Sequence, residues 1–294
     1  MLYPPHTPLQ ARTIIRGRNT YHPPTQARKA GLALNCLFNG WGMYETDEAR
    51  FAVDDHVFLV LNAGREYAFS IASETMVESL SICFPDEWLA DAHAVSNRSC
   101  AELLDAPFIS AQPGDFFETL YYHDQHLNIP IQHLRRRLDA GPVSEPELEE
   151  ILRVLADALL RAQQRFERRA ETIAAVRQST RRELLRRLYR AKDYIHANAE
   201  RELPLGEIAR EAALAPHHFL RTFRANFGVT PHVYLVQQRL ARARVLLAAT
   251  DLPIHSICAR IGFSSAPSFS TLFRRHHGLT PRAYRQRQQN SNSR

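Results

Sequence analysis

Two stretches of this chain repeat one another at a fixed offset. Such a repeat constrains the architecture more than composition can, because each copy must be one supersecondary unit. Leu205-Gly-Glu-Ile-Ala-Arg…Phe219-Leu-Arg-Thr-Phe223…Gly228-Val-Thr-Pro-His-Val-Tyr234 aligns with Ile254-His-Ser-Ile-Cys-Ala…Phe269-Ser-Thr-Leu-Phe273…Gly278-Leu-Thr-Pro-Arg-Ala-Tyr284. Phe219 and Phe269, Phe223 and Phe273, Gly228 and Gly278, Pro231 and Pro281, and Tyr234 and Tyr284 are each 50 residues apart, whereas Ile208 and Ile257 are 49 apart. The slip of one falls in the turn. Each copy reads as a short helix, a tight turn and a second helix stopped by Gly228 or Gly278. In the second copy Gly262 supplies the residue able to take φ > 0, and Ser264 or Ser265 offers an N-cap.

Phe219 with Phe223, and Phe269 with Phe273, stand at i, i+4 and therefore face the same way, as core rather than as stacking platforms. The opposite face of each second helix carries His217, His218, Arg221 and Arg224 in the first copy, and Ser268, Thr271, Arg274 and Arg275 in the second. An aromatic inner face with a small, polar or cationic outer face is what a reader of the DNA major groove requires. Between the copies, Thr230-Pro231 caps and starts a helix expected over 231–248, with Val236, Leu240, Ala243 and Leu247 on one side. Eighteen residues at ~1.5 Å span about 27 Å. Together with the width of the flanking units, that is the order of the ~34 Å between successive major-groove openings on one face of B-DNA. Two units, about 205–228 and 254–278, are thus expected to enter two successive major grooves of double-stranded DNA.

The charge distribution agrees. Residues 1–174 carry 16 Lys+Arg and 24 Asp+Glu, while residues 175–294 carry 21 and 7, so the overall +6 conceals an acidic half and a strongly basic one. A polyanion is attracted to the basic half alone. An anionic membrane surface is the alternative for such a block.

Ile257…Gly262-Phe263-Ser-Ser…Phe269-Ser…Phe273-Arg-Arg…Gly278-Leu-Thr-Pro-Arg-Ala-Tyr284-Arg285 resembles the AraC/XylS family of transcription regulators over about residues 180–287. The resemblance implies seven helices in this domain, insertion of the second helix of each unit into the major groove, and an N-terminal domain for effector binding or dimerisation, often a cupin-like barrel. Activation of nearby promoters, and hence contact with RNA polymerase, is implied on the same footing. Two departures stand out. In the first copy the usual turn glycine is Ala213 and the usual serine cap is Ala215, so that turn must strain or reshape. In the second, Thr271 stands where a base-reading arginine is common. Base reading is therefore expected from His217, His218, Arg221, Ser268 and Thr271, most sharply from Arg221 with His217. Phosphate contacts are expected from Arg224, Arg274 and Arg275, with Arg239 on the connecting helix.

Within residues 1–178, expected to sense an effector or dimerise, the stretch from about 30 to 85 reads as short strands. These are Gly31–Phe38, Phe51–Val53, His56–Leu61, Tyr67–Ile71 and Val77–Phe84, separated by turn residues and pointing to a small antiparallel barrel or jelly roll. Helices are expected from about 86 to 175, including Asp86–His93, Phe116–His126, and one capped by Ser144. The last carries an apolar stripe of Leu148, Ile151, Leu152, Leu155, Leu159 and Phe166 that can pack on the barrel or pair with a second copy. The fold class is α+β: this barrel with helices, then an all-α double helix-turn-helix domain over 179–294.

Little in the N-terminal half points to chemistry. His123 and His126 are the one pair at metal-like spacing, but no third ligand accompanies them, and His56 alone does not make a cupin metal site. No cofactor is expected. Cys36, Cys83 and Cys100 lack the basic setting of a reactive thiol, and no GxSxG or phosphate-cradling loop appears. A catalytic or redox-sensing N-terminal domain is the alternative reading, and a regulator without enzymatic activity the expected one. No apolar run reaches ~18 residues and no leader pattern begins the chain, so a cytoplasmic location is expected.

Overall fold

The computed structural model describes residues 13–25, 28–29, 31–84, 116–171 and 178–292. Among these residues there are eight strands: β1 (Ile14–His22), β2 (Arg28–Lys29), β3 (Ala33–Phe38), β4 (Trp41–Glu45), β5 (Arg50–Asp54), β6 (Val57–Leu61), β7 (Glu66–Cys83) and β8 (Leu120–Tyr122). All pairings are antiparallel, in the order β5-β4-β7-β3-β6-β8, with β1 and β2 also on β7. The sheet rolls into a near-closed barrel. β3, apolar except for the hydrogen-bonded Asn35, and the wholly apolar β6 are buried along their whole length because both of their faces are covered. Leu37, Val57, Leu59 and Leu61 fill the barrel with Tyr44, Phe51 and Ile71. Leu34, Cys36, Phe38, Phe58 and Val60 turn the other way, onto two helices.

Those helices are α1 (Gln125–Ala140) and α2 (Glu145–Glu171). α2 starts one residue after Ser144, whose carbonyl accepts from Leu148 N at 2.9 Å. Its stripe, Leu148 through Phe166, is buried within this chain, against the sheet and α1 and, at Phe166, near α3, so the stripe is not free to pair with a second copy. No helix among the described residues is long and apolar enough to cross a membrane.

Three expectations change. The strands expected at 67–71 and 77–84 are one 18-residue strand, β7. Ser73 and Thr75 hydrogen-bond to each other at 3.0 Å, and the Thr75 hydroxyl donates to the Asn39 carbonyl. This keeps the intervening residues extended across the β3–β4 turn. The segment 116–124 is not helical: Leu120–Tyr122 pairs with Val57–Leu59 of β6, and the helix begins only after Asp124, whose carboxylate accepts from Leu127 N at 3.0 Å. Its amphipathic pattern is overridden by tertiary pairing. β1 was not expected, because Arg16, Gly17, Arg18 and Asn19 break any apolar alternation. It is held instead by β7 and by the Arg16–Glu78 and Arg16–Asp139 pairs at 2.8 and 2.7 Å. The helix expected at 86–93 lies outside the described residues.

Seven helices follow: α3 (Gln178–Ala197), α4 (Leu205–Glu211), α5 (Pro216–Phe227), α6 (Pro231–Ala249), α7 (Ile254–Arg260), α8 (Ala266–His277) and α9 (Pro281–Asn292). One core gathers α3 to α6 around Phe219 and Phe223, and a second gathers α6 to α9 around Phe269 and Phe273.

His123 lies against Phe58 and Phe38, with ring centroids 5.4 and 6.4 Å away, and burial pulls its pKa down to about 4. His196, fully buried, is also lowered by burial, against the pull of Asp54. Both fold with a pKa below the unfolded value of about 6.5. The unfolded chain therefore binds protons that the folded one refuses as pH falls through that value. Stability is fully present above pH ~6.5 and is lost towards pH ~4, with His123 alone accounting for about 3 kcal/mol at the acid end. His56, raised by its hydrogen bond to Asp54, works in the opposite sense. Urea denaturation at pH 7 and pH 5 is expected to show a lower midpoint at pH 5, and His123→Leu to reduce that difference.

Candidate nucleic-acid interface

The interface is built from the aromatic cores outward. In α5, Phe219 and Phe223 lie 5.3 Å apart and fully buried; in α8, Phe269 and Phe273 lie 5.6 Å apart, also fully buried. Tyr234 closes the first core 6.2 Å from Phe223 and Tyr284 the second 5.6 Å from Phe273, which is why the repeat carries a tyrosine in each copy. With these faces turned inward, His217, His218, Arg221 and Arg224 of α5 and Ser268, Thr271, Arg274 and Arg275 of α8 are all exposed. None of these side chains has a hydrogen-bond or ion-pair partner among the described residues. Two matching helices therefore present free donors, which is what a ligand of phosphates and base edges needs.

Helix ends follow the expected chemistry. Thr230 Oγ1 accepts from Val233 N at 3.3 Å, and Ser265 rather than Ser264 caps α8, accepting from Ser268 N at 3.4 Å. Gly228 and Gly278 end their helices at φ +75° and +77°. α6 has 19 residues and spans about 28 Å.

The two turns differ. Gly262 has φ +83°, and Ala213, at the matching place, has φ +49°. Ala215 caps α5 with no side-chain hydrogen bond, and Pro216 supplies the first turn. An alanine in the left-handed region costs about 1–2 kcal/mol, partly offset by the entropy that glycine adds to the unfolded chain. Ala213 is exposed, so nothing but strain acts there. Ala213→Gly is expected to raise stability by about 0.5–1 kcal/mol, measured by chemical denaturation. A loss would show that the turn is not strained.

Arg239 is placed differently from the other cations. Its guanidinium donates to the carbonyls of Ala199 and Arg201 at 2.7 and 2.8 Å and lies 5.6 Å from the Phe263 ring, tying the turn after α3 to the turn between α7 and α8. Arg242 is buried, donating to the His196 carbonyl at 2.6 Å and to Glu200 at 2.5 Å.

Sequence reasoning missed the contacts that bind this domain to the barrel. His196 Nε2 lies 3.1 Å from Asp54 Oδ2, both buried. Burial alone would raise the Asp54 pKa, but His196 and His56 outweigh it and hold the carboxyl well below its usual range. Thr119 donates to Asp193 at 2.6 Å, and Tyr122 to the Tyr234 hydroxyl at 3.0 Å. The Lys192 ammonium sits among Tyr122, Tyr189, Phe227 and Tyr234, with ring centroids 4.3 to 5.6 Å away. Burial pushes Asp193 up and Lys192 down, each restrained by the other's charge. Arg260 pairs with Glu74 of β7, and Arg242 lies 5.5 Å from the Trp41 ring. The partners come from distant parts of the chain, and no local pattern marks them.

Burial pushes the Cys36 and Cys83 thiols up, away from the thiolate form. Cys100 lies outside the described residues. His126 is exposed at the start of α1, and no group of three or more metal-ligating side chains occurs among the described residues. Arg135 bonds to Glu78 and stacks 3.7 Å over Phe38.

Residues 208–287 match the protein family described as a helix-turn-helix domain. The chain is 35% identical over 92 residues to the probable transcriptional regulator LumQ of Photobacterium leiognathi, covering 31% of this chain and 37% of that protein. It is 36% identical over 107 residues to the regulatory protein PocR of Salmonella typhimurium, covering 36% and 35%. It is also 35% identical over 94 residues, covering 32% and 44%, to the bifunctional transcriptional activator/DNA repair enzyme AdaA of Bacillus subtilis. The matches thus span less than half the length of each of these relatives. Among solved structures, a transcriptional regulator of Chromobacterium violaceum with an AraC-type DNA-binding domain aligns at 35% identity and TM-score 0.34, over 35% of this chain and 91% of that one.

Proposed function

From the premise that residues 208–287 form an AraC-type helix-turn-helix domain, we propose that the chain is a sequence-specific DNA-binding regulator of transcription, governed through its N-terminal barrel domain. The observation that carries the reading is the pair of matching helices, α5 and α8, each backed by a buried phenylalanine pair and each presenting unpaired polar and cationic side chains. Held on a stiff α6, they suit two successive major grooves of double-stranded DNA.

In this reading Arg221, with His217 and His218, reads base edges from α5, and Ser268 and Thr271 from α8. Arg224, Arg274 and Arg275 contact phosphate, whereas the carbonyl bonds of Arg239 favour a bracing role. Regulation works in the cytoplasm, by activation with RNA polymerase as a further partner, as the activator named among the relatives suggests. A self-associated form would need a surface other than the α2 stripe. Among the described N-terminal cysteines, buried Cys36 and half-buried Cys83 have thiols pushed up by burial and are poor nucleophiles, which does not support a repair activity like that of the third relative.

The test is selection of preferred DNA by the purified chain, with footprinting of the best site at two salt concentrations. Two protected patches one helical turn apart are expected. Arg221→Ala should cost about 1–3 kcal/mol on that site and relax one base preference, while Arg274→Ala should weaken all sequences alike and reduce the salt slope by about one. Equal losses on specific and random DNA for Arg221→Ala would remove it from base reading.

A further inference from the structure

A cleft of about 470 Å³ opens between the barrel and the helical domain, within the size range of small-molecule sites. One wall is the barrel mouth, with Phe51, Phe116 and Phe117; the other is α3, and Ala213 of the first helix-turn-helix turn forms part of the rim. The barrel wall is firmly built. Asn62 donates to the Phe116 carbonyl at 2.9 Å and accepts from Phe116 N at 2.8 Å, and the Phe117 ring stacks on Phe166 at 4.0 Å. The barrel interior itself is filled by side chains.

The charges of this cleft are unevenly matched. On the barrel wall Arg65 pairs with Glu118 at 2.8 Å and with Asp47 and Glu48 at 3.2 and 3.3 Å. On α3, Glu183 pairs with Arg187 at 2.8 Å, and Asp193 is held by Thr119. Arg186 and Arg190, one turn apart on the same face of α3, meet no carboxylate among the described residues. The Arg186 guanidinium lies 5.9 Å from the Phe117 ring. Both line the cleft opposite the barrel mouth. Glu211 also lines the cleft and has no ion-pair partner among the described residues, so the cleft offers two unpaired guanidinium groups and one unpaired carboxylate beside an aromatic wall.

We propose that this cleft binds a small organic anion, a carboxylate or phosphate ester on an aromatic or apolar body, with Arg186 and Arg190 as its anion contacts and Phe117 against its body. The inference rests on the regulatory reading above and names its effector class. A guanidinium takes either anion through paired N–H donors, which a lysine cannot reproduce. An occupant would touch the barrel, α3 and the strained Ala213 turn together. It would therefore favour one placement of the first DNA-reading unit relative to the barrel, the differential contact that control by a ligand requires.

The experiment uses the full chain, with phenyl phosphate and benzoate as anionic probes and benzylamine as a cation of similar size, in calorimetric titrations. At least one anion is expected to bind at millimolar concentration or better, and benzylamine not to bind. Arg186→Ala with Arg190→Ala should weaken the anion by about tenfold or more, with an unchanged melting temperature in the absence of ligand, since both side chains are exposed. Equal binding to the wild type and the double variant, or no anion binding better than benzylamine, overturns the inference. Selective DNA binding is measured on the same samples without probe. Its failure would count against the regulatory reading and not against the cleft, whereas anion binding indifferent to the two arginines would count against the cleft alone.

Discussion

His196→Ala is expected to destabilise the folded chain by about 3 kcal/mol or more, one of the two largest effects predicted for a single substitution here. The cause is the group left behind. Asp54 is buried, with its carboxylate held ionised by His196 at 3.1 Å and by His56, whose backbone N–H donates to it at 2.8 Å. Removing the imidazole strips a buried charge of one partner and leaves a space at the end of α3, and desolvation dominates such a deletion. His56 still lies 3.5 Å from Asp54, which keeps the loss nearer the lower end of the range for broken buried pairs. Urea denaturation of the single variants and of the double variant Asp54→Ala/His196→Ala tests this. The double variant should lose less than the two single losses added, because no unpaired charge then remains. Simple additivity would mean that the pair is not coupled. Since the contact joins β5 to α3, proteolysis between barrel and helical domain should also become faster in His196→Ala.

The second large effect is at Gly262. A Cβ there would stand 2.5 Å from the Glu200 carbonyl oxygen and 2.7 Å from its carbon, on a backbone already at φ +83°. The neighbour is main chain, so no rotamer change relieves the clash. That main chain is fastened on both sides, by Arg239 on the carbonyls of Ala199 and Arg201 and by Arg242 on Glu200 and the His196 carbonyl. Left-handed strain and overpacking together are expected to cost about 3 kcal/mol or more for Gly262→Ala. Because this contact seats the second helix-turn-helix turn against the end of α3, the footprint from α8 should weaken more than that from α5. A variant as stable as the wild type, with both patches intact, would show that the turn can shift freely.

Gly262 and Ala213 show how much of the site the sequence made legible. Gly262 by its residue type, and Ala213 by the family resemblance, are marked as turn positions needing φ > 0, and both adopt it. That one tolerates a methyl group and the other does not is set by what lies opposite: solvent at Ala213, main chain at Gly262. The outward faces of α5 and α8 were legible for a similar reason. A phenylalanine pair at i, i+4 fixes a helix's inner face and hence its outer one, with no knowledge of the rest of the molecule. Arg239 escaped that logic because it lies on a helix packed on several sides, where periodicity does not say which cation meets solvent.

The N-terminal half divides along the same line. Runs such as Val57–Leu61, apolar at every position, identify strands buried on both faces whatever their partners. β8 and β1 carry no such mark and exist because β6 and β7 offer them open edges. The pattern at 116–126 suits a helix until Asp193, 73 residues from Leu120, takes Thr119 and the neighbouring backbone. By itself the sequence determined the repeat, the faces of its helices, the charge asymmetry and the apolar strands, because those rest on local periodicity and on residue chemistry. Only the tertiary structure decided the interlock of Asp54 with His196, the aromatic enclosure of Lys192, and the cleft faced by Arg186 and Arg190. Each joins groups far apart along the chain, and their energies depend on burial, which no local pattern encodes.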